Sequence, residues 1–323
     1  MQPPLGRSAG TARPTPRQYR NTMNKHILSG IVPDDRIKYD EPLSGHTSFN
    51  IGGPADILVT VANEDELTKV LAKIEDENAD YFLLGNGSNV LASDDGFRGV
   101  IIKLGGDFLE AKVEGTTIKA GAGITLTKLA NIAMNAALTG LEFASGIPGT
   151  LGGALFMNAG AYGGEMCQIV TKVTLFDPSE KKIINLSNED MAFGYRRSII
   201  KEKGYIALSC EMELAKSESE TIRSAMLELA KKRKEKQPLE YPSAGSTFKR
   251  PEGYFAGKLI EDAGLGGFNI GGAEVSEKHK GFVINKGGAT AKDVSDLIAH
   301  VTKTVKEQAG VTLEPEVLFL GKF

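Results

Sequence analysis

The chain has 323 residues, 41% of them hydrophobic and 24% charged, with 38 glycines, which is enough length for a substantial core and sets an expectation of two or three domains. A formal net charge of −3 gives no basic excess for gripping a nucleic-acid backbone, and no apolar run approaches the roughly 20 residues of a membrane span. Two cysteines far apart and four scattered histidines argue for a reducing cytoplasm and against a structural metal.

In chain order, residues 1–22 carry Arg7, Arg13, Arg17 and Arg20 and no acid, but prolines at 3, 4, 14 and 16 spoil an amphipathic helix. They read as a disordered leader, with Met23 as an original start. Strand signals follow at 55–61, a helix at 65–78 (Leu67, Val70, Leu71, Ile74 on one face), and strands at 81–84, 100–104 and 117–120. A helix over 125–138 presents Leu126, Leu129, Ile132 and Ala133 and stops at Gly140, and strands are expected at 169–176, 182–185 and 205–214. The helix at 219–236 ends in a charged run before Pro238, and Gln237–Pro242 reads as a domain boundary. A strand at 282–285, a helix over 290–308 opened by a Thr290/Asp293 capping box, and a strand at 316–320 complete the chain. Strands outnumber helices and no long βαβ alternation appears, so the fold class is mixed α+β.

Three glycine-bearing stretches precede residue 237: SFNIGGPAD (48–56), LGNGSNV (84–90) and ASGIPGTLGGALFMNAGAYGG (144–164). In the second, glycine frees successive backbone N–H groups to converge, with Asn86, Ser88 and Asn89 as short polar partners, which suits a diphosphate without a helix dipole or lysine. Neither G-x-G-x-x-G nor a P-loop is present, which disfavours a Rossmann site or an ATPase. Each stretch alone reads as an ordinary loop. Together they point to a long ligand with a diphosphate and a flat ring system, pressed onto bare peptide.

HTSFNIGGPAD (46–56), LGNGSNVL (84–91), GLEFASGIPGTLGGALFMNAGAYGGEM (140–166), FGYRRS (193–198), YPSAGSTFKRP (241–251) and LEPEV (313–317), in this order, resemble the UDP-N-acetylenolpyruvoylglucosamine reductase family from about Ser44 to Gly321. The YPSAGS form is similar to the shorter-loop subgroup. The resemblance implies an α+β chain with a two-subdomain FAD-binding fold of the vanillyl-alcohol-oxidase type and a C-terminal α+β substrate-binding domain. The expected divisions are 23–104 and 105–237 for the FAD subdomains, 238–310 for the substrate domain, and 311–323 returning to the flavin. It further implies a monomeric cytoplasmic enzyme that uses non-covalent FAD and NADPH to reduce UDP-N-acetylglucosamine-enolpyruvate to UDP-N-acetylmuramate, with neither nucleic acid nor membrane as partner. An FAD-dependent oxidase of an alcohol or sugar on the same fold is the alternative, with His46 the histidine near a matched loop.

Residue by residue, the resemblance places FAD on Gly52, Gly53, Gly85, Asn86, Gly87, Ser88, Asn89, Gly146, Ile147, Pro148, Gly149, Thr150, Gly152, Gly153 and Asn158. Arg196 matches the group that steadies the enolate-like charge developed when hydride adds to the vinyl carbon, a duty suited to a fixed guanidinium, and Arg197 reads as solvated. Ser246 matches the proton donor, and Glu316 the group that polarises the enolate, best held protonated by an apolar, carboxylate-crowded site. Along a strand Glu314 would share the face of Glu316. Tyr195, Lys236 and Asn285 are expected at the substrate, whereas Arg250 stands where longer-loop relatives carry asparagine. Deleting Leu313–Phe323 is expected to abolish turnover and leave yellow protein.

Overall fold

A computed structural model of the chain describes residues 26–323, so the expected leader and the start at Met23 lie outside the described residues. β1 (Ile37–Pro42) pairs antiparallel with β2 (Pro54–Val61). Asn63 caps α1 (Glu64–Asp76) by accepting the Glu66 N–H at 2.9 Å, and Leu67, Val70, Leu71 and Ile74 are its buried face. After α1 come β3 (Tyr81–Leu83), β4 (Val90–Ala92) and β5 (Phe97–Leu104). β2 and β3 both run parallel to β5, giving the order β1-β2-β5-β3 with α1 as the crossover.

The second sheet is entirely antiparallel, in the order β9-β8-β10-β7-β6, from β6 (Ala111–Glu114), β7 (Thr117–Gly121), β8 (Val170–Asp177), β9 (Lys182–Ser187) and β10 (Ile206–Glu213). α2 (Leu126–Asn135), capped by Thr125, buries Leu126, Leu129, Ala130 and Ala133 in the same core as Val173, Leu175 and Met212. The glycine run hides a two-turn helix, α3 (Leu151–Met157), which glycine propensity argues against. Burial of Leu151, Ala154 and Leu155 in that core overrides the weak propensity of Gly152 and Gly153. α4 (Ile199–Lys203) follows FGYRRS, and α5 (Ser219–Lys236) leads to the 237–242 segment.

The last unit contains α6 (Ala256–Asp262), β11 (Ala273–Val275), β12 (Val283–Asn285) and α7 (Ala291–Ala309). The Thr290/Asp293 capping box forms as the sequence predicts, both bonds at 3.0 Å, and Gly310 ends the helix at φ 71°. The core of this unit includes residues from the first: Phe49, Ile51 and Leu91 pack with Ile260, Val294, Ile298 and Val317. SFNIGG is therefore as much a plug between units as a ligand loop. Deep burial at one end and glycine freedom at the other fix its path.

Two further ties cross the same seam. β13 (Leu318–Leu320) pairs parallel with β4, and Asp94 accepts the first two amides of α7, Ala291 N–H at 2.8 Å and Lys292 N–H at 3.0 Å. A carboxylate at a helix N-terminus satisfies orphan donors and opposes the dipole. Asp94→Ala is expected to lower stability by about 0.5–2 kcal/mol, the usual worth of a cap, read as a drop in the unfolding temperature. Because Leu313, Val317 and Leu320 are buried, deleting 313–323 would also open a core and strip β4, so the yellow, inactive truncation expected from sequence is not a clean test. Among the described residues no helix is long and apolar enough to cross a membrane.

Candidate active site

Arg196 sits in a two-residue hairpin turn, where Gly194 and Arg197 exchange both backbone hydrogen bonds at 3.1 Å. Its φ is +55°, a left-handed conformation that costs a non-glycine residue roughly 1–2 kcal/mol and survives only where the surroundings fix it. What fixes it is on both sides. Asn158, 2% exposed, donates from Nδ2 to the Gly194 carbonyl (3.2 Å) and to Glu165 (2.7 Å) and accepts the Cys167 N–H (2.9 Å). Glu316 Oε1 takes a 2.5 Å hydrogen bond from Arg196 Nε, and the Tyr195 ring lies 5.1 Å from the guanidinium.

The Asn158 amide, expected from sequence at the cofactor, is buried and bonded to the hairpin that carries Arg196. Arg197, as expected, points to solvent and pairs with Glu202.

Glu316 is delivered by a short antiparallel register between the AGSTF segment and the chain terminus. Lys249 N–H donates to the Glu314 carbonyl (2.9 Å), Phe248 bridges Pro315, and Glu316 N–H donates to the Thr247 carbonyl (2.8 Å). Thr247 is fully buried, its N–H bonded to Gly281 and its hydroxyl accepting the Val283 N–H. The neighbouring Ser246 is thereby held firmly through the backbone, yet its own hydroxyl has no hydrogen-bond partner among the described residues.

The two glutamates do not share an environment. Glu316 is 11% exposed and Glu314 70%, the latter paired with Lys249 at 2.9 Å. Only an isolated bridge at Pro315 forms here, so the alternation of a regular strand does not apply. Burial pushes the Glu316 carboxyl above the ordinary carboxylate range, opposed chiefly by Arg196 and more weakly by Lys201 and Lys249. The apolar half of the expectation holds. The carboxylate-crowded half does not, since the charged neighbours are cations, an environment fitted to an incoming carboxylate. Lys201 carried no signal beyond its place after FGYRRS, and Lys249 lies inside the matched STFKRP run.

The glycine loops meet beside this cluster. Gly87, at φ +62°, packs onto the HTSF segment so closely that a Cβ would stand 2.1 Å from the His46 carbonyl oxygen. Gly85 packs 2.6 Å from Thr150 Oγ1 by the same measure, and Asn86 Nδ2 donates to the Pro148 carbonyl at 3.2 Å. Gly52, Gly53 and Gly152 likewise abut Leu43, the Asp94 carbonyl and Ala122. At these positions loop-against-loop approach by itself requires glycine.

What remains for a ligand is their backbone: among the described residues the amides of Gly85, Asn86, Gly87 and Ser88 donate no hydrogen bond, and the Ser88 hydroxyl is likewise free. Four successive unpaired donors around a left-handed glycine fit the diphosphate of FAD. Gly149 and Gly153 leave ordinary room, and Ile147, Pro148 and Thr150 continue the same wall. Asn89 differs: its side chain bonds the Glu316 carbonyl at 3.1 Å and its own carbonyl takes the Leu318 N–H, tying the terminus to the loop. Gly87→Ala is expected to force the two loops apart at a cost of at least ~1–3 kcal/mol, measured as lost visible flavin absorbance per protein after gel filtration.

Asn285 and Lys236, both expected at the substrate, sit in contrasting surroundings. Asn285 is buried, with Nδ2 donating to the Phe49 carbonyl (3.0 Å) and Oδ1 accepting from Gly287 and Ala289 (both 3.1 Å), so it is a clasp between units and not an exposed ligand. Lys236 is exposed at the end of α5 with no ion pair among the described residues. Tyr195 does border the cluster, accepting the Arg250 N–H at 3.0 Å, while the Arg250 guanidinium lies 4.0 Å from the Phe255 ring. Among the described residues no group of three His, Cys, Asp or Glu could hold a metal ion.

Residues 237–320 match the family described as UDP-N-acetylenolpyruvoylglucosamine reductase, C-terminal domain, and residues 55–187 match the FAD binding domain family. UDP-N-acetylenolpyruvoylglucosamine reductases of Caldanaerobacter subterraneus and Clostridium perfringens are 53% and 51% identical over 295 and 296 residues, 91% and 92% of this chain and 97% of each relative. The crystal structure of the UDP-N-acetylenolpyruvylglucosamine reductase of Thermus caldophilus is 36% identical and aligns with a TM-score of 0.77, over 88% of this chain and 99% of that one.

Proposed function

Because the chain belongs to the UDP-N-acetylenolpyruvoylglucosamine reductase family and is an FAD-binding oxidoreductase acting on that enolpyruvyl UDP-sugar, we propose that Arg196, Glu316 and Ser246 carry the reduction, with NADPH as the electron donor. The observation that carries this assignment is the 2.5 Å Arg196–Glu316 pair, whose glutamate is tied by its N–H to the Thr247 carbonyl, next along the chain from a serine whose hydroxyl is unengaged. FAD held on the glycine loops, once reduced by a hydride from NADPH, would supply the hydride that adds to the terminal vinyl carbon. Charge then develops on the adjacent carbon and its carboxylate.

Arg196, held at the hairpin tip, faces that charge with a preorganised cation, and Lys201 and Lys249 add to the positive field. Glu316, whose carboxyl burial pushes upward and Arg196 restrains, fixes the guanidinium through the Nε bond and polarises the developing enolate oxygen. Ser246 delivers the proton to the carbon. A neutral hydroxyl suffices because the acceptor is a strongly basic carbon, and no histidine is needed to activate it.

The test is a spectrum of the purified protein followed by two titrations. Visible flavin absorbance that NADPH bleaches and the enolpyruvyl UDP-sugar restores supports the reading. Colourless protein that refuses added FAD, or flavin reoxidised by oxygen alone, overturns it, the latter pointing to an oxidase.

A further inference from the structure

Glu316 lies where three parts of the chain meet, and each part holds it at a different atom. The Thr247 carbonyl accepts its N–H (2.8 Å), Arg196 on the hairpin donates to its carboxylate, and Asn89, the last residue of the LGNGSN loop, donates from Nδ2 to its carbonyl at 3.1 Å. Apart from Arg196, Asn89 is the one side chain among the described residues that hydrogen-bonds Glu316. The Asn89 carbonyl in turn accepts the Leu318 N–H at 3.0 Å, so a single residue grips the chain on both sides of the buried Val317.

Little else fixes that stretch. Pro315 has no N–H to give, its pairing with Phe248 is an isolated bridge, and β13 begins only at Leu318. Without the Asn89 amide, Glu316 is left to pivot about its bond to Thr247, which swings the carboxylate away from a guanidinium that the hairpin keeps in place. A charged hydrogen bond is directional, and a displacement of about 1 Å at a reacting centre costs on the order of 10²-fold in rate. Asn158 has the corresponding duty for the other partner, holding Arg196 through the Gly194 carbonyl. Asn89 also follows directly on the four unpaired amides that fit the diphosphate, so it joins the cofactor loop to the reacting carboxyl. Resting on the functional reading above, we propose that Asn89 is a positioning residue of the reduction: it aligns Glu316 with Arg196 from the cofactor side and touches none of the reacting atoms itself.

The competing role is that of a cofactor ligand, because Nδ2 carries a second hydrogen that a phosphate oxygen would accept. The experiment separates the two with holoenzyme of wild type, Asn89→Ala, Asn89→Leu, Glu316→Ala and the Asn89→Ala/Glu316→Ala double variant. Stopped-flow absorbance of FAD-saturated enzyme gives the bleaching by NADPH and the reoxidation by the enolpyruvyl UDP-sugar over a range of sugar concentrations, and fluorescence quenching of reconstituted apoprotein gives FAD affinity. In Asn89→Ala the saturating reoxidation rate should fall by about 10- to 100-fold, while the half-saturating sugar concentration, the bleaching rate and FAD affinity each stay within about threefold. Asn89→Leu, which keeps the shape without the donor, covers the case in which Ala loosens the loop and should show the same selective loss. In the Glu316→Ala background the asparagine change should alter reoxidation by no more than about twofold, because its route to the chemistry is gone.

Weakened FAD affinity with wild-type reoxidation in the saturated enzyme would make Asn89 a cofactor ligand and overturns the proposal. Equal slowing of both half-reactions overturns it as a general loosening of the fold. So does a further loss of about tenfold or more in the Glu316→Ala background, which would mean that Asn89 acts on its own. A wild type whose flavin the UDP-sugar does not reoxidise refutes the functional reading. A competent wild type with indifferent Asn89 variants refutes this inference alone.

Discussion

Ser246→Ala should leave NADPH-driven flavin bleaching nearly unchanged and slow the return of colour on adding the enolpyruvyl UDP-sugar by about 10²–10⁴-fold, the usual worth of a positioned proton donor. The separation follows from how Ser246 is held. Its neighbours take the structural load: the buried Thr247 bonds Gly281, Val283 and Glu316, and Gly245 at φ +72° sets the turn before it. Removing one unbonded, half-buried hydroxyl therefore disturbs no hydrogen bond of the fold and should shift the unfolding temperature little. Stopped-flow absorbance at the flavin band reads the two half-reactions separately. Equal slowing of both would remove Ser246 from the proton-transfer step, and a reoxidation rate within tenfold of wild type would mean another group supplies the proton.

The parts legible in the sequence are those where a local pattern and its tertiary use coincide. α1, α2 and α7 have apolar faces at helical spacing and recognisable caps, and they and the uncapped α5 form within a few residues of where that spacing puts them. The short strand β4 was not legible, because Val90–Ala92 is a strand only through its partner Leu318–Leu320, more than two hundred residues away. A separation of 120 residues likewise hides Glu316's partner. Nothing local in LEPEV says that its second glutamate meets an arginine in a left-handed turn, and nothing in FGYRRS says that the turn is left-handed.

Asn158, Asn285 and the packed glycines explain the remaining differences. A residue type suited to a ligand is equally suited to satisfying buried backbone, and sequence alone does not separate the two uses. Arg233 is the converse. Within a run of basic residues at the end of a helix it reads as solvated, and only the fold turns it inward beside Gly146.

Arg196→Met should abolish turnover and also make stability fall more steeply as pH rises. In the folded wild type Glu316 is buried with its carboxyl already above the ordinary value, and Arg196 is the main group restraining that rise. Removing the guanidinium lets the folded-state value climb further while the unfolded value stays put. A raised folded value means that the native state holds the proton more tightly. Its contribution is fully present below the unfolded carboxyl value near 4.5 and is lost as pH increases through the folded one.

The variant's deficit against wild type should therefore be small near pH 5 and grow toward pH 8. Breaking a fully buried pair costs roughly 3–5 kcal/mol, and the lower end is expected here because Arg196 remains 22% exposed and water can reach the vacated space. Adding Glu316→Gln removes the stranded charge, so the double variant should recover most of the stability at pH 8 while remaining inactive, a coupling that additive single effects would not give. Thermal unfolding from pH 5 to 8 for the two single variants, the double variant and wild type decides it. A deficit independent of pH, or a double variant no more stable than Arg196→Met, would mean that the two side chains are neighbours without being an energetic unit.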